Sequence, residues 1–222
     1  MLRHWRWLIR LGFRLLYNEL AFTYDWVSAI TSVGQWREWQ RRALPRLAEP
    51  PRVLEMAHGT GNTLIDLTRA GFRPVGIDLS PHMGQIARRK LARHGLTAPL
   101  VRGRAEALPF ASGCFPSIVA TFPTEYIIEP RALAEFRRVL QSADPASGTP
   151  AGRLVFVPTA RITAGSLAHR LAAWLFSATG QAGPWPPQVE ARYRAAGFRV
   201  RVESDLLPWS EVVIVIAEKA GA

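Results

Sequence analysis

The stretch from Val53 to Asn62, VLEMAHGTGN, decides the fold. Its first residues have the apolar, buried character of a strand, with Glu55 set among them. A Gly-Thr-Gly turn then runs into the helical pattern NTLIDLTRAG, closed by Gly71. Glycines at such a turn let the backbone approach a ligand closely, and the free N–H groups at a helix start favour negative charge or an acceptor. A dinucleotide site requires G-x-G-x-x-G, with the third glycine packed closely under a pyrophosphate. Here that position is Leu64, which argues for a nucleoside cofactor without a pyrophosphate. Asp78 ends the next strand about 20 residues on, where an acid accepts bonds from ribose hydroxyls. An acid at that place serves either cofactor class.

Outward from this stretch, strand and helix signals alternate, the pattern of a parallel sheet covered by helices. PVGIDL is a second buried strand. Ser80 is a good N-cap, Pro81 fits the first helical position, and the helix runs to Gly95. PLVRG, SIVATF and RLVFV are the third to fifth strands, with PRALAEFRRVL a helix after the fourth and a polar Gly/Pro/Ser loop before the fifth. GFRVRVESDLL and EVVIVIAEKA lie close enough to pair antiparallel. Between them and the fifth strand, TAGSLAHRLAAWLFSATG reads as an apolar helix and PPQVEARYRAAG as a polar one. The expected fold is α/β, a Rossmann-like doubly wound seven-stranded sheet, mostly parallel with an antiparallel C-terminal hairpin. Residues 1–50 are expected as an N-terminal helical cap and residues 51–222 as the sheet domain.

The chain carries a net charge of +11, almost all of it from arginine, since Lys90 and Lys219 are the only lysines. Two readings fit: a GC-rich genome, or anionic partners such as lipid headgroups, nucleic acid or acidic metabolites. The single cysteine, Cys114, excludes an internal disulfide and a cysteine-rich zinc site, and fits a reducing cytosol. No apolar run approaches the roughly 18 residues of a membrane span. Arg6, Arg10 and Arg14 interrupt the N-terminal apolar segment, which therefore reads as mature sequence and not as a signal peptide.

Four ordered motifs, VLEMAHGTG, VGIDLSPHMGQIARRKL, GRAEALPFASGCFPSIVATF and ALAEFRRVLQ…GRLVFV, together resemble the class I S-adenosylmethionine-dependent methyltransferases. The chain is most similar to the branch that includes ubiquinone and menaquinone biosynthesis methyltransferases, over roughly residues 50–158. The resemblance implies that Glu55 and the loop Ala57, Gly59, Thr60 and Gly61 face the methionine portion of the cofactor. It implies Asp78 at the ribose, Leu79 on the adenine, Ala105 and Glu106 at the adenine edge, and Thr121 just past the fourth strand. No metal is implied. Ala57 replaces the usual first loop glycine, a methyl tolerated if φ stays negative. His58 fits a loop-packing or solvent-facing role. Arg104 stands where relatives place Asp or Asn, and a guanidinium cannot accept a bond from the adenine amino group. Pro116 removes a backbone donor just before the fourth strand.

Methyl transfer from a sulfonium asks the protein for alignment and exclusion of water, with a base only where the acceptor loses a proton. Glu125 and Tyr126 follow the fourth strand, where the methyl faces the acceptor. Glu125 is the first candidate for base or positioner; Asp25, His169 and Tyr193 are weaker ones. Arg3, Arg6, Arg10 and Arg14 share one helical face, with Trp5 at its edge. Such a helix lies on an anionic membrane surface or packs its apolar side on the domain. The expected reaction is methyl transfer to a small, lipophilic acceptor such as a quinone precursor or lipid, in the cytoplasm, with peripheral contact to the inner face of the membrane through residues 1–20. A nucleic-acid methyltransferase is the alternative on charge, disfavoured because the basic residues are scattered and Phe122-Pro123-Thr124-Glu125 stands where an amino-methylating N/D-P-P-Y motif would be. A non-catalytic, membrane-associated binding protein on this scaffold is a third reading. The sequence does not fix the oligomeric state.

Overall fold

A computed structural model describes residues 24–49, 51–163 and 187–221. Two helices come first, α1 (Tyr24–Thr31) and α2 (Trp36–Arg41), followed by a 3-10 turn at Leu44–Arg46. Then come β1 (Arg52–Met56), α3 (Asn62–Arg69), β2 (Arg73–Asp78), α4 (Pro81–Arg93), β3 (Leu100–Arg102) and β4 (Ser117–Thr121). A 3-10 turn at Glu125–Ile128 leads into α5 (Pro130–Val139), β5 (Arg153–Ile162), α6 (Pro187–Ala195), β6 (Phe198–Leu207) and β7 (Ser210–Lys219). The strands form one seven-stranded sheet in the order β3-β2-β1-β4-β5-β7-β6. All neighbours are parallel except the β5–β7 and β6–β7 pairs, so the expected sheet is the observed one.

The local signals behave as their chemistry dictates. The Ser80 hydroxyl accepts from the Met83 N–H, and Pro81 occupies the first turn of α4, where a missing donor does no harm. Pro116 lies just outside β4, and its carbonyl accepts from the Arg153 N–H, so the lost donor interrupts no β4 ladder bond. The fifth strand is twice as long as RLVFV. A bulge at Val157-Pro158 carries it past the proline, and Thr159–Ile162 then pair with Ser210–Val213. The proline hid this continuation. The helix expected over TAGSLAHRLAAWLFSATG lies outside the described residues.

Each face of the sheet has its own core. On one face, α5 supplies Leu133 and Phe136 and α6 supplies Tyr193 against Leu54, Ile118 and Phe156. On the other, α2 places Trp36, Trp39 and, just beyond its end, Ala43 against Val53, Val119, Val155 and Ile214, with Leu67 of α3 beside them. Trp36, Trp39 and Ala43 are therefore part of the hydrophobic core. Polar ties fix them. Asp66 of α3, 6% exposed, takes a two-pronged bond from Arg37 at 2.9 and 2.8 Å and a third bond from Arg41 at 3.0 Å. The Trp39 indole donates to Ser210 Oγ at 2.9 Å, and that hydroxyl donates onward to Gln35 at 2.7 Å. Arg46 reaches the edge strand β6, bonding Glu203 and Asp205.

Ser210→Ala leaves the Trp39 N–H and the Gln35 carbonyl without their partner. It is expected to lower stability by about 1–3 kcal/mol, read as a fall in Tm of roughly 2–4 °C per kcal/mol. An unchanged melting curve would show that these bonds do not hold the N-terminal layer.

Candidate active site

Strand order reverses between β1 and β4, and at such a switch point the carboxyl ends of the strands diverge. A cavity of about 350 Å³ opens there. Of the site residues expected from the sequence, Ala57, Gly59, Asp78 and Leu79 line it from β1 and β2. Ala105, Glu106, Thr121 and Tyr126 line it from the side of β3 and β4. Glu55, Thr60 and Gly61 are buried and do not form part of its wall.

The loop after β1 is wound by three left-handed residues: Ala57 at φ +52°, Gly59 at +53° and Gly61 at +84°. At Gly61 both conformation and space demand glycine, because a Cβ would stand 3.0 Å from Ala87 Cβ of α4. Ala57 departs from the negative φ expected of it. Ala57 is exposed on the cavity lining, and its conformation carries a left-handed strain of about 1–2 kcal/mol. His58 turns inward. Its ring packs on Gly76, where an added Cβ would come within 2.9 Å of the ring, and its Nδ1 lies 2.9 Å from the Gly59 carbonyl. Since that carbonyl only accepts, Nδ1 carries the proton. Burial lowers the His58 pKa, with Asp78 opposing, so the ring is a neutral packing element. Leu64, at the third-glycine position, is fully buried against the same Gly76. Lys90 of α4 braces the loop from outside, donating to Asn62 Oδ1 at 2.6 Å.

Asp78 accepts from the Gly59 N–H at 2.9 Å and from the Ser80 N–H at 2.8 Å, one bond to each oxygen. A carboxylate has about four acceptor positions, so lone pairs remain for a diol. Beside it the Leu79 side chain is 55% exposed on the cavity wall, a flat apolar surface for a base. Glu55 is 2% exposed, and its Oε2 has no hydrogen-bond partner among the described residues. Burial pushes its carboxyl well above the ordinary carboxylate range; the nearby Thr63 hydroxyl pulls it down, while Asp78 and Asp66 push it up. A cation that enters beside Glu55 satisfies the acceptor and favours its ionised form. Asp78 and Leu79 on the cavity wall thus match a ribose diol and an adenine face, with the Glu55 carboxyl buried behind the wall. S-adenosylmethionine fits the residues present.

The acceptor side departs from expectation. Glu125 is exposed and does not line the cavity, whereas Tyr126 does. The 3-10 turn that begins at Glu125 sends neighbouring side chains in different directions. Arg104 lies on the cavity wall and directs its Nε toward Glu106 at 3.4 Å. Tyr193 is structural: fully buried, stacked on Phe156 and donating to the Ile127 carbonyl at 2.7 Å. The Asp25 side chain and His169 lie outside the described residues. Sequence reasoning missed Gln40, whose Nε2 donates to Thr121 Oγ1 at 2.9 Å, and Trp36, stacked on Phe122 at 3.9 Å. Helical spacing puts Trp36, Trp39 and Gln40 on one face, but nothing in it names their partners.

A family profile described as a methyltransferase domain matches residues 53–143. Demethylmenaquinone methyltransferase of Thermus thermophilus is 30% identical over 92% of this chain and the whole of that protein. The ubiquinone/menaquinone biosynthesis C-methyltransferase of Geotalea uraniireducens is 30% identical over 57% of each chain. Among solved structures, phosphoethanolamine N-methyltransferase 2 of Haemonchus contortus with S-adenosyl-L-methionine has a TM-score of 0.63 at 14% identity, covering 90% of this chain and 56% of that one, and so shares the fold.

Glu55 titrates against stability. Its folded pKa is raised, so its contribution is complete below the unfolded value and is lost as pH rises through the folded one. Glu55→Gln does not titrate. The ligand-free variant is expected to melt higher than the wild type at pH 8, with the gap closing toward pH 4, while binding S-adenosylmethionine more weakly. A gap independent of pH would refute this account.

Proposed function

We propose, from the premise that the chain belongs to the class I S-adenosylmethionine-dependent methyltransferases in the branch of ubiquinone and menaquinone biosynthesis enzymes, that its acceptor is a quinone precursor methylated at carbon. The observation that carries this reading is the combination of the 30% identical demethylmenaquinone methyltransferase with a cavity walled by Phe122, Pro123 and Tyr126 beyond the fourth strand. An aromatic ring fits such a wall, and one polar group is enough to orient it.

When bound, the cofactor supplies the activated methyl group on its sulfonium. Asp78 and the backbone from Ala57 to Gly61 would hold its ribose and amino-acid ends, Leu79 and Ala105 its base. The 3-10 turn after β4 excludes water from the acceptor side and presents Tyr126. A hydroquinone carbon is most nucleophilic when the neighbouring hydroxyl has given up its proton, so a group that accepts or orients that O–H speeds the attack. We assign this role to Tyr126, which lines the cavity and whose buried hydroxyl must turn toward the acceptor on binding; Glu125, exposed and off the cavity wall, does not take it. Nothing in the cavity offers the row of cationic side chains that a nucleic-acid backbone requires.

The membrane reading rests on α1. Trp26 and Ile30, one turn apart, are 74% and 64% exposed, and the basic, tryptophan-rich residues 1–20 precede them in the chain. Residues 1–20 lie outside the described residues, and no described helix is long and apolar enough to cross a membrane. A lipophilic acceptor and an interfacial anchor act together, because the substrate is concentrated where the enzyme sits.

With a demethylmenaquinone as acceptor, Tyr126→Phe is expected to lower kcat about 10²-fold at unchanged affinity for S-adenosylhomocysteine. Glu125→Gln should alter kcat by less than about twofold. A reversed ranking restores Glu125 as the acting group, and no turnover by the wild type sinks the acceptor assignment. In flotation with anionic liposomes, the full chain should rise with the vesicles and a form lacking residues 1–20 should not; equal partitioning rejects the anchor.

A further inference from the structure

We propose that β6, at the edge of the sheet, pairs antiparallel with β6 of a second copy of this chain to form a symmetric dimer. The inference goes beyond the methyltransferase reading and does not depend on it. β6 ends the sheet, and β7 is its one strand partner among the described residues. The hairpin between them closes over Pro208 and Trp209, with Leu207 opposite Ser210. The closing pair of a two-residue hairpin exchanges its ladder bonds, and bonded positions then alternate along the strand. Odd-numbered residues of β6 therefore turn their N–H and C=O groups toward β7. The Gly197 carbonyl, which accepts from the Ala220 N–H at 2.9 Å, keeps the same phase. Phe198, Val200, Val202, Ser204 and Leu206 turn theirs outward. None of them is proline, so each can both donate and accept, and the edge is a template for a further strand.

The side chains select the partner and the register. Charges on an edge strand ordinarily keep copies apart, but here the signs are divided along the strand. Arg199 and Arg201 come first, Glu203 and Asp205 after them. A twofold axis through Val202 sets Arg201 opposite the partner's Glu203 and Arg199 opposite the partner's Asp205, on both sides of the axis. Outward groups pair only with outward groups, and each neighbouring symmetric register brings like charges together. An axis at Arg201 or Glu203 opposes that residue to itself. One at Val200 pairs Arg199 with Arg201, and one at Ser204 pairs Glu203 with Asp205. The register centred on Val202 matches every charge. Arg201 and Arg46 already bond the two acids within the chain, and a carboxylate keeps acceptor positions for a further donor. On the other face of the strand Val202, 43% exposed, meets its own copy, and Leu206, 80% exposed, lies across from the partner's Phe198. The cavity between β1 and β4 is separated from this edge by β5 and β7 and stays open.

Sedimentation velocity of the full chain at roughly 10–100 μM should show a dimer. Val202→Pro removes an outward N–H and no bond to β7, while Arg199→Glu combined with Arg201→Glu makes the edge wholly acidic. Both should sediment as monomers with the far-UV circular dichroism of the wild type. Single cysteines test the register. A cysteine replacing Val202 faces its own copy at a Cα separation of about 5.5 Å, within disulfide reach, so Val202→Cys should cross-link under mild oxidation. Ser204→Cys stands roughly 13 Å from its copy and should not. The wild type, with Cys114 alone, is the control. A wild type that stays monomeric, leaving the edge to a different chain, would overturn the proposal. So would a dimer that survives both edge variants, or equal cross-linking of the two cysteines.

Discussion

The bond from Arg37 to Asp66 is the constraint on which the other arrangements depend. Asp66 is nearly buried, and a carboxylate in that position persists only if its charge is matched and its lone pairs are taken. The guanidinium fork of Arg37 and the second arginine, Arg41, do both, and they hold the Asp66 pKa below the usual carboxylate range against the effect of burial. The pairing locks α2 to α3. With α3 fixed, its first turn carries Thr63 beside Glu55 and seats Gly61 against Ala87. With α2 fixed, its inner face lays Trp36 on Phe122 and Gln40 on Thr121. Both ends of the cavity are thus set by one ionic contact at its side.

Departures from local preference collect around that cavity. Ala57 and Phe122 are two of the three non-glycine residues in the left-handed region among the described residues, and both line it. Phe122 is held there by packing, with its ring stacked on Trp36 and tilted against Trp39 and its N–H donating to the Val157 carbonyl at 2.8 Å. Its turn directs Pro123 to Tyr126 back toward the opening. Glu55 is a third departure, a buried acid whose burial opposes its ionisation. Elsewhere propensity, patterning and capping agree with the fold, so the exceptions mark where function sets the structure.

What the sequence made legible follows from the range of the interactions involved. RVLEM, PVGIDL and the Ser80-Pro81 cap are decided by neighbours within a few residues, and they stand where their patterns put them. Asp78 at the end of β2 and Leu79, Ala105 and Glu106 beyond the strands line the cavity because the sheet order brings those strand ends together. The extension of β5 was hidden because Pro158 reads locally as a terminator, while the partner that sustains the strand lies fifty residues on. Glu125 and Tyr126 are adjacent in sequence, and only the direction of a short 3-10 turn separates an exposed side chain from one on the cavity wall. Gln40 bonds a residue 81 positions away, a pairing no periodicity encodes.

The way α2 meets the sheet also bears on how this chain can be recombined. Arg37 with Asp66, Trp36 with Phe122, Gln40 with Thr121 and Trp39 with Ser210 are four contacts, each with one member before residue 50 and one after it. A chimera with its crossover in the short link between Ala48 and Arg52 would separate all four pairs at once, although it would interrupt no helix or strand. The seam that is least damaging to secondary structure is therefore among the most damaging to the core. The two segments form a co-inherited set: a substitution on the inner face of α2 must be answered at the ends of β4, in α3 or at the start of β7.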